Sequence, residues 1–288
     1  MASFDGTPLT IDHADFIRGR EALVVALPLG TKAPLIVRAA ERFSSAFNVL
    51  VWQSRLILDP DIPLTDPAAL SLASCNRDFV ALLDYFHVGG ALLLGYCSGA
   101  AAALHAAAAN RDRVSKLALV GGAYFLRDGC ALTQYEKDVL DLMPYVAAGR
   151  EDAAYILGAC SGTAGTAHMA GNEFMEEAYR AYSNVESFYR LGIGLTNFIQ
   201  GDSRRAARSI TAPTLIAESR FDTHTHYSSS MLIAGDIDRA DVYVYDSGDH
   251  YDFCRANPLL METILRAFTG DEALKSRSFE AQGIGSRE

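Results

Sequence analysis

Long apolar runs are missing from this chain of 288 residues, although half of its residues are hydrophobic. Its apolar stretches are short and interrupted, which argues against a membrane-spanning helix. The start of the chain carries Asp5, Asp12 and Asp15 and does not read as a signal peptide. Positive charge is short as well. Lys and Arg number 25 against 35 Asp and Glu, for a formal net charge of −10. A field of that sign disfavours nucleic acid and anionic membrane surfaces as partners. Cysteine is sparse and shows no CxxC pair. Cys75, Cys97, Cys130, Cys160 and Cys254 are odd in number and dispersed. That pattern excludes a disulfide framework and fits reduced thiols in a cytoplasmic protein. No internal repeat is visible.

What is present is an alternation of buried strands and helices. Residues 21–29 (EALVVALPL) form a continuous apolar run closed by Pro28 and Gly30, the pattern of a buried parallel strand. Further strands are expected at 48–52, 91–96, 114–120, 213–218 and 241–245. Helical patterns fall at 34–47, 67–86, 98–110, 227–233 and 258–268. Strand–helix alternation implies a mostly parallel sheet with helices on both faces. It breaks once: residues 124–209 hold helical patterns at 133–147 and 172–198, a Gly/Ala/Ser/Thr-rich stretch at 158–171 and no strand candidate. The expected organisation is an α/β core of 1–123 and 210–270. Residues 124–209 are read as an inserted helical lid, and 271–288 as a flexible polar tail. The plain alternative for the insert is helices that merely cover one edge of the sheet.

Chemistry concentrates in Gly95-Tyr96-Cys97-Ser98-Gly99-Ala100, between the 91–96 strand and an alanine-rich helix. This is the small-x-nucleophile-x-small pattern of a nucleophile elbow. A sharp strand-to-helix turn brings strand and helix together, so the residues two before and two after the nucleophile must be small. Gly95 and Gly99 meet that need around Cys97. Placing Ser98 at the apex would put the Tyr96 ring in the tight position. The competing plain reading is a buried inert thiol beside a Gly-rich turn. At the apex, Cys97 would sit at a helix N-terminus, whose partial positive charge favours a thiolate. The Ser98 backbone N–H would then serve as one oxyanion donor. The second is expected from the 29–32 loop, at Leu29 or Gly30.

A histidine and an acid follow in the order such an elbow requires. His250 ends the run Asp241-Val-Tyr-Val-Tyr-Asp-Ser-Gly-Asp-His250, with Gly248 freeing the loop. Asp222 follows the 213–218 strand by a short loop and is the expected acid, to hold the histidine tautomer and its charged form. Glu218 and Asp249 are rival acids.

With these residues in place the chain resembles the α/β-hydrolase superfamily over roughly 21–268, with cysteine where serine is usual. The lack of an HGGG segment sets it apart from one lipase and esterase group. Cysteine elbows occur in dienelactone hydrolases, polyhydroxyalkanoate synthases and thioesterase-like aminoacyltransferases of nonribosomal peptide and polyketide pathways. The chain is most similar in size and lid placement to the last group, of the syringomycin and coronamic acid type. The resemblance implies acyl or aminoacyl transfer between carrier-protein thiols through a Cys97 thioester. It implies no resident cofactor, phosphopantetheine being carried by a partner or substrate. An acyl thioester is the expected substrate and a carrier protein the candidate partner. Hydrolysis of a thioester, ester or lactone would use the same triad. A non-catalytic binding protein on the same fold is the rival from another class.

Other constellations carry less. His224 and His226 flank the acid loop, but no full ligand set stands at metal-site spacing, and no metal is expected. Arg204, Arg205 and Arg208 read as a solvated helix face, with an acidic carrier surface or a phosphate as the alternative. Tyr124, Phe125, Tyr145, Phe174, Tyr179, Tyr182, Phe188 and Tyr189 make the insert aromatic, some as core and a few as acyl pocket. Cys75, Cys130, Cys160 and Cys254 have no elbow around them.

Overall fold

The computed structural model describes residues 1–162 and 174–270. The expected tail at 271–288 and part of the 158–171 stretch lie outside the described residues. Seven strands form one sheet: β1 (Ile11–His13), β2 (Ala22–Ala26), β3 (Asn48–Trp52), β4 (Ala91–Tyr96), β5 (Val114–Val120), β6 (Thr214–Ser219) and β7 (Ala240–Tyr245). Their order is β1-β3-β2-β4-β5-β6-β7. All neighbouring pairs are parallel except β1 with β3.

Strands β2, β3 and β4 are buried along their whole length, as continuous apolar runs between two helical layers must be. Strand β1 escaped the sequence reading. It is a three-residue antiparallel edge, largely exposed, with no apolar period to reveal it. Strand β2 stops at Ala26, short of the expected 29. Residues 27–30 turn away over the carboxyl edge of the sheet, where the Thr31 N–H closes a turn on the Pro28 carbonyl.

The helices are α1 (Val37–Ser44), α2 (Leu72–Tyr85), α3 (Ser98–Ala109), α9 (Tyr227–Asp236) and α10 (Pro258–Thr269) around the core. Between β5 and β6 come α4 (Gln134–Val146), α5 (Arg150–Gly162), α6 (Met175–Ala178), α7 (Val185–Ile199) and α8 (Ser203–Ala207). The expected helix at 67–86 is broken at Ser71, whose hydroxyl accepts the Ser74 N–H and starts α2 afresh. Helix α5 overlaps the start of the Gly/Ala-rich stretch. The expected 172–198 helix is divided at Asn184, which caps α7.

Two anchors fix the insert. Thr133 and Glu136 form a capping box at the start of α4, and the same residues grip the acid loop. The Thr133 hydroxyl donates to the His224 carbonyl at 2.9 Å, and Glu136 accepts the His226 N–H at 3.1 Å. On α7, buried Arg190 pairs with Glu186 at 2.7 Å and donates to the carbonyls of Leu56, Asp59, Pro60 and Ile62. Among the described residues no helix is long and apolar enough to cross a membrane.

Candidate active site

Cys97 stands at the apex between β4 and α3 with φ 54° and ψ −125°, a conformation that a side-chain-bearing residue rarely adopts. The glycines around it explain how the turn closes. A methyl at Gly95 would run into the Gly99 carbonyl and Ala100. One at Gly99 would run into the Ala26 and Leu27 carbonyls, at the end of β2 and just beyond it. Helix α3 (SGAAAALHAAAA) continues the theme: its small side chains let it lie close to the sheet. Tyr96 faces the opposite layer, where its hydroxyl donates to the His250 carbonyl at 2.8 Å and its ring lies 5.2 Å from the imidazole. Sequence reasoning gave Tyr96 only a place in the elbow; it also holds the histidine loop.

His250 follows β7 and opens a short helical turn capped by Asp249. Gly248, at φ 76°, sets that turn, and a side chain there would strike Asp252. The His250 Nδ1 lies 2.7 Å from Asp222 Oδ2, and the His250 ring lines the same cavity as Cys97. Asp222 is held by three more donors: the N–H groups of His224 and Thr225 to Oδ1, at 2.7 and 2.9 Å, and the Thr225 hydroxyl to Oδ2 at 3.0 Å. Burial pushes the Asp222 carboxyl up, but the His250 charge and these donors outweigh it and hold it below the usual carboxylate range. Burial likewise pushes His250 down. Asp222 and Cys97 beside it outweigh that and hold the imidazole well above its usual range.

The rival acids are engaged elsewhere. Glu218 is fully buried and accepts the Gly122 N–H at 2.8 Å and the Ser230 hydroxyl; burial pushes its carboxyl up to about 8. Asp249 pairs with Arg255 at 2.6 Å and accepts the Tyr251 N–H.

Of the two expected oxyanion candidates, the Gly30 N–H donates to Ser54 Oγ at 3.0 Å, and Gly30 is not among the residues that line the cavity. Leu29 does line the cavity, with its N–H 2.9 Å from Ser98 Oγ. Ser98, first residue of α3, lines it beside Cys97.

The cavity over Cys97 holds about 60 Å³. One side is the sheet edge: Pro28, Leu29, Thr31, Cys97, Ser98, His250 and Tyr251. The other comes from the insert: Phe125, Tyr135, Val139, Tyr179, Tyr182, Leu191 and Leu195. Of the aromatics singled out in the sequence, Phe125, Tyr179 and Tyr182 reach the cavity. Tyr124 and Phe188 are core, and Tyr145 is exposed. Tyr135 was missed, having only helical position to mark it.

His224 also lines the cavity, stacked on His250 with centroids 4.5 Å apart and planes at 15°. Burial and the neighbouring His250 charge push it down to about 4, so it stays neutral. His226 instead caps α9, accepting the Ser228 N–H. Asp222, His224 and His250 bring ligand atoms within 4.8 Å of one another. Both Asp222 oxygens are already taken by four donors, which fits a carboxylate that orients histidine rather than one that holds a cation. Of the arginine cluster, Arg204 and Arg208 converge on Asp236 of α9, at 2.5 and 3.3 Å. The described cysteines Cys75, Cys97, Cys130 and Cys254 are free thiols.

No protein-family model matches the chain. Among curated proteins it is 28% identical over 270 residues to an L-allo-isoleucyltransferase from Pseudomonas savastanoi pv. glycinea, covering 92% of each chain. Among solved structures it is similar to a hydrolase from Pseudomonas aeruginosa PA01, with TM-score 0.68, 22% identity, and 94% and 97% of the two chains covered. An alpha/beta hydrolase from the metagenome of lagoon sediments at Mar Chica, Morocco, gives TM-score 0.65 at 14% identity, with 92% and 96% covered. The chain has the α/β-hydrolase fold.

Proposed function

We propose that this α/β-hydrolase-fold protein is an enzyme that transfers an aminoacyl or similar acyl group between thiols, through a thioester on Cys97. The observation that carries the reading is Cys97 at a strained elbow, sharing one cavity with a His250 that Asp222 fixes from behind. The relative named as an L-allo-isoleucyltransferase, similar over nearly the whole chain, supports transfer of an aminoacyl group in particular.

The steps follow from the residues. His250 takes the Cys97 proton, and Asp222 stabilises the imidazolium. The sulfur attacks the carbonyl carbon of an acyl thioester. A new C–S bond forms and the carbonyl pair moves onto oxygen, which the Ser98 N–H faces. Collapse breaks the bond to the donor thiol, which leaves with the His250 proton. A second thiol then repeats the sequence in reverse, delivering its proton to His250 and taking the acyl group. Exchange of one thioester for another is close to thermoneutral, which suits a cysteine better than a serine. The aromatic wall over the sulfur keeps water from the acyl-enzyme. The cavity volume, equivalent to a few water molecules at about 10–15 Å³ each, suits a short acyl chain. Pantetheine belongs to the donor and acceptor, and the thiol of a carrier protein is the natural source of both.

The test is the lifetime of the adduct. Intact-protein mass spectrometry after incubation with an aminoacyl thioester should show one acyl group on Cys97. The adduct should persist in buffer and discharge quickly when a pantetheine thiol is added. Rapid decay to free acid, unchanged by the thiol, would instead make the protein a thioesterase or esterase with the same triad.

A further inference from the structure

The usual second donor of an oxyanion hole in this fold is a backbone amide from the loop after the first long strand. Here that amide, the Leu29 N–H, is already spent on Ser98 Oγ at 2.9 Å. Ser98 is buried, sits next to Cys97 at the first turn of α3, and lines the same cavity. A serine oxygen that accepts one N–H keeps its own hydrogen to give. No acceptor for that hydrogen is found among the described residues. The hydroxyl therefore stands between the Leu29 amide and the space above Cys97, oriented by the one and open to the other.

We propose that the Ser98 side-chain hydroxyl is the second oxyanion donor, taking the place of the Leu29 amide that holds it. This deepens the acyl-transfer reading and rests on it. As Cys97 sulfur bonds to the carbonyl carbon, the carbonyl pair moves to oxygen. That oxygen then receives two hydrogen bonds from one residue, the Ser98 N–H and the Ser98 O–H. The Leu29 N–H fixes the hydroxyl rotor and polarises it, since a hydroxyl that accepts a hydrogen bond is a better donor. No proton is transferred by Ser98. When the donor C–S bond breaks, the pair returns to the carbonyl and the hydroxyl is released unchanged.

Two reactions of Cys97 separate this role from a structural one. Acylation by an aminoacyl N-acetylcysteamine thioester passes through an oxyanion. Alkylation by iodoacetamide uses the same sulfur and the same His250 but makes none. The readout is the ratio of the two second-order rate constants at one pH. In Ser98→Ala the ratio should fall by about 100-fold, the loss typical of removing one oxyanion donor. Ser98→Thr, which restores the hydroxyl, should recover most of it. A ratio that stays level or rises in Ser98→Ala, with the released Leu29 amide serving the oxygen directly, would overturn the proposal. So would a fall in both rates together, which marks distortion of the elbow. A wild-type protein that is alkylated at Cys97 but takes no acyl group from any thioester would overturn the acyl-transfer reading itself.

Discussion

On one side of the cavity, the carboxyl edge of the sheet presents Cys97, His250 and Asp222, each pinned by hydrogen bonds to backbone or to each other. On the other side, α4 and α7 present Tyr135, Val139, Leu191 and Leu195, held by packing and by the anchors at Thr133, Glu136 and Arg190. The first wall is specified atom by atom. Strand ends fix the height of three loops, and Gly95 and Gly99 let the elbow close. Four donors on Asp222 leave it one orientation toward His250. The second wall is specified by volume. Its residues contribute shape and exclude water, and a change of one methylene there alters what fits, not which bond is made. The two walls should therefore fail differently.

The largest effect is expected from the sheet wall. Cys97→Ala should abolish acyl-enzyme formation, measured by intact mass after exposure to an acyl thioester. In the wild type, iodoacetamide at neutral pH should label Cys97 ahead of Cys75, Cys130 and Cys254. Burial pushes Cys75 and Cys254 up to about 12 and raises Cys130, so all three remain thiols. An acylated Cys97→Ala protein would break the comparison at its first term.

His250→Ala should lower the acylation rate by about 10²–10⁴-fold, the range for loss of a general base, with the fold retained. Asp222→Asn should cost less, because a thiolate leans less on the third member than an alkoxide does. It should also shift the pH profile. The Asp222 carboxylate is part of what holds His250 above its usual range, against a burial that pushes it down. With that charge removed the imidazole gives up its proton at lower pH, so the alkaline limb of the profile moves down. An unchanged limb, or a larger effect from Asp249→Asn, would reassign the acid.

These two walls were not equally legible in the sequence. The sheet wall was readable because its constraints are local. Close approach demands small residues at fixed offsets from Cys97, and buried parallel strands must be apolar throughout. Asp222 and His250 follow such strands directly. The insert was readable only as helices. Residues such as Tyr135 and Tyr145 share an aromatic character and a helix, and only the packing of α4 on the core puts one in the cavity and the other in solvent. The oxyanion loop fell between the two. Its position was legible, but whether the Leu29 or the Gly30 amide stays available depends on Ser98 and Ser54, brought in by other elements.

A change in the insert wall should act on choice of substrate. Leu195→Phe narrows the cavity without touching a triad residue. It should favour a two- or three-carbon acyl thioester over a branched five-carbon one by about 10–100-fold relative to wild type, the discrimination a methylene or two can supply. Competition between the two thioesters, read as the ratio of adduct masses on Cys97, measures it. An equal loss of both substrates would show that α7 supports the chemistry as well as the fit.

The smallest effect on rate is expected at Glu218, which lies behind the sheet wall with both acceptor contacts on Oε1 and no partner for Oε2. Burial pushes it up to about 8 from an ordinary 4.5, so at neutral pH it is a neutral acid. Glu218→Gln keeps that neutral shape and should leave the acylation rate near wild type, unlike Asp222→Asn. Its effect is on stability. A carboxyl with a raised folded-state pKa binds its proton more tightly folded than unfolded. Its contribution is full below about pH 4.5 and is lost as pH rises toward 8, where the folded protein must keep a proton that the unfolded chain has released. The wild type should lose stability relative to Glu218→Gln across that window, by up to about 1.4 kcal/mol per pH unit. Above pH 8 the difference should level off. Paired urea melts of the two proteins from pH 5 to 9 measure this directly. Parallel curves across the window would mean that Glu218 is ionised in the folded protein. A buried anion would then stand near Asp222, and the claim that one carboxylate alone serves His250 would need revision.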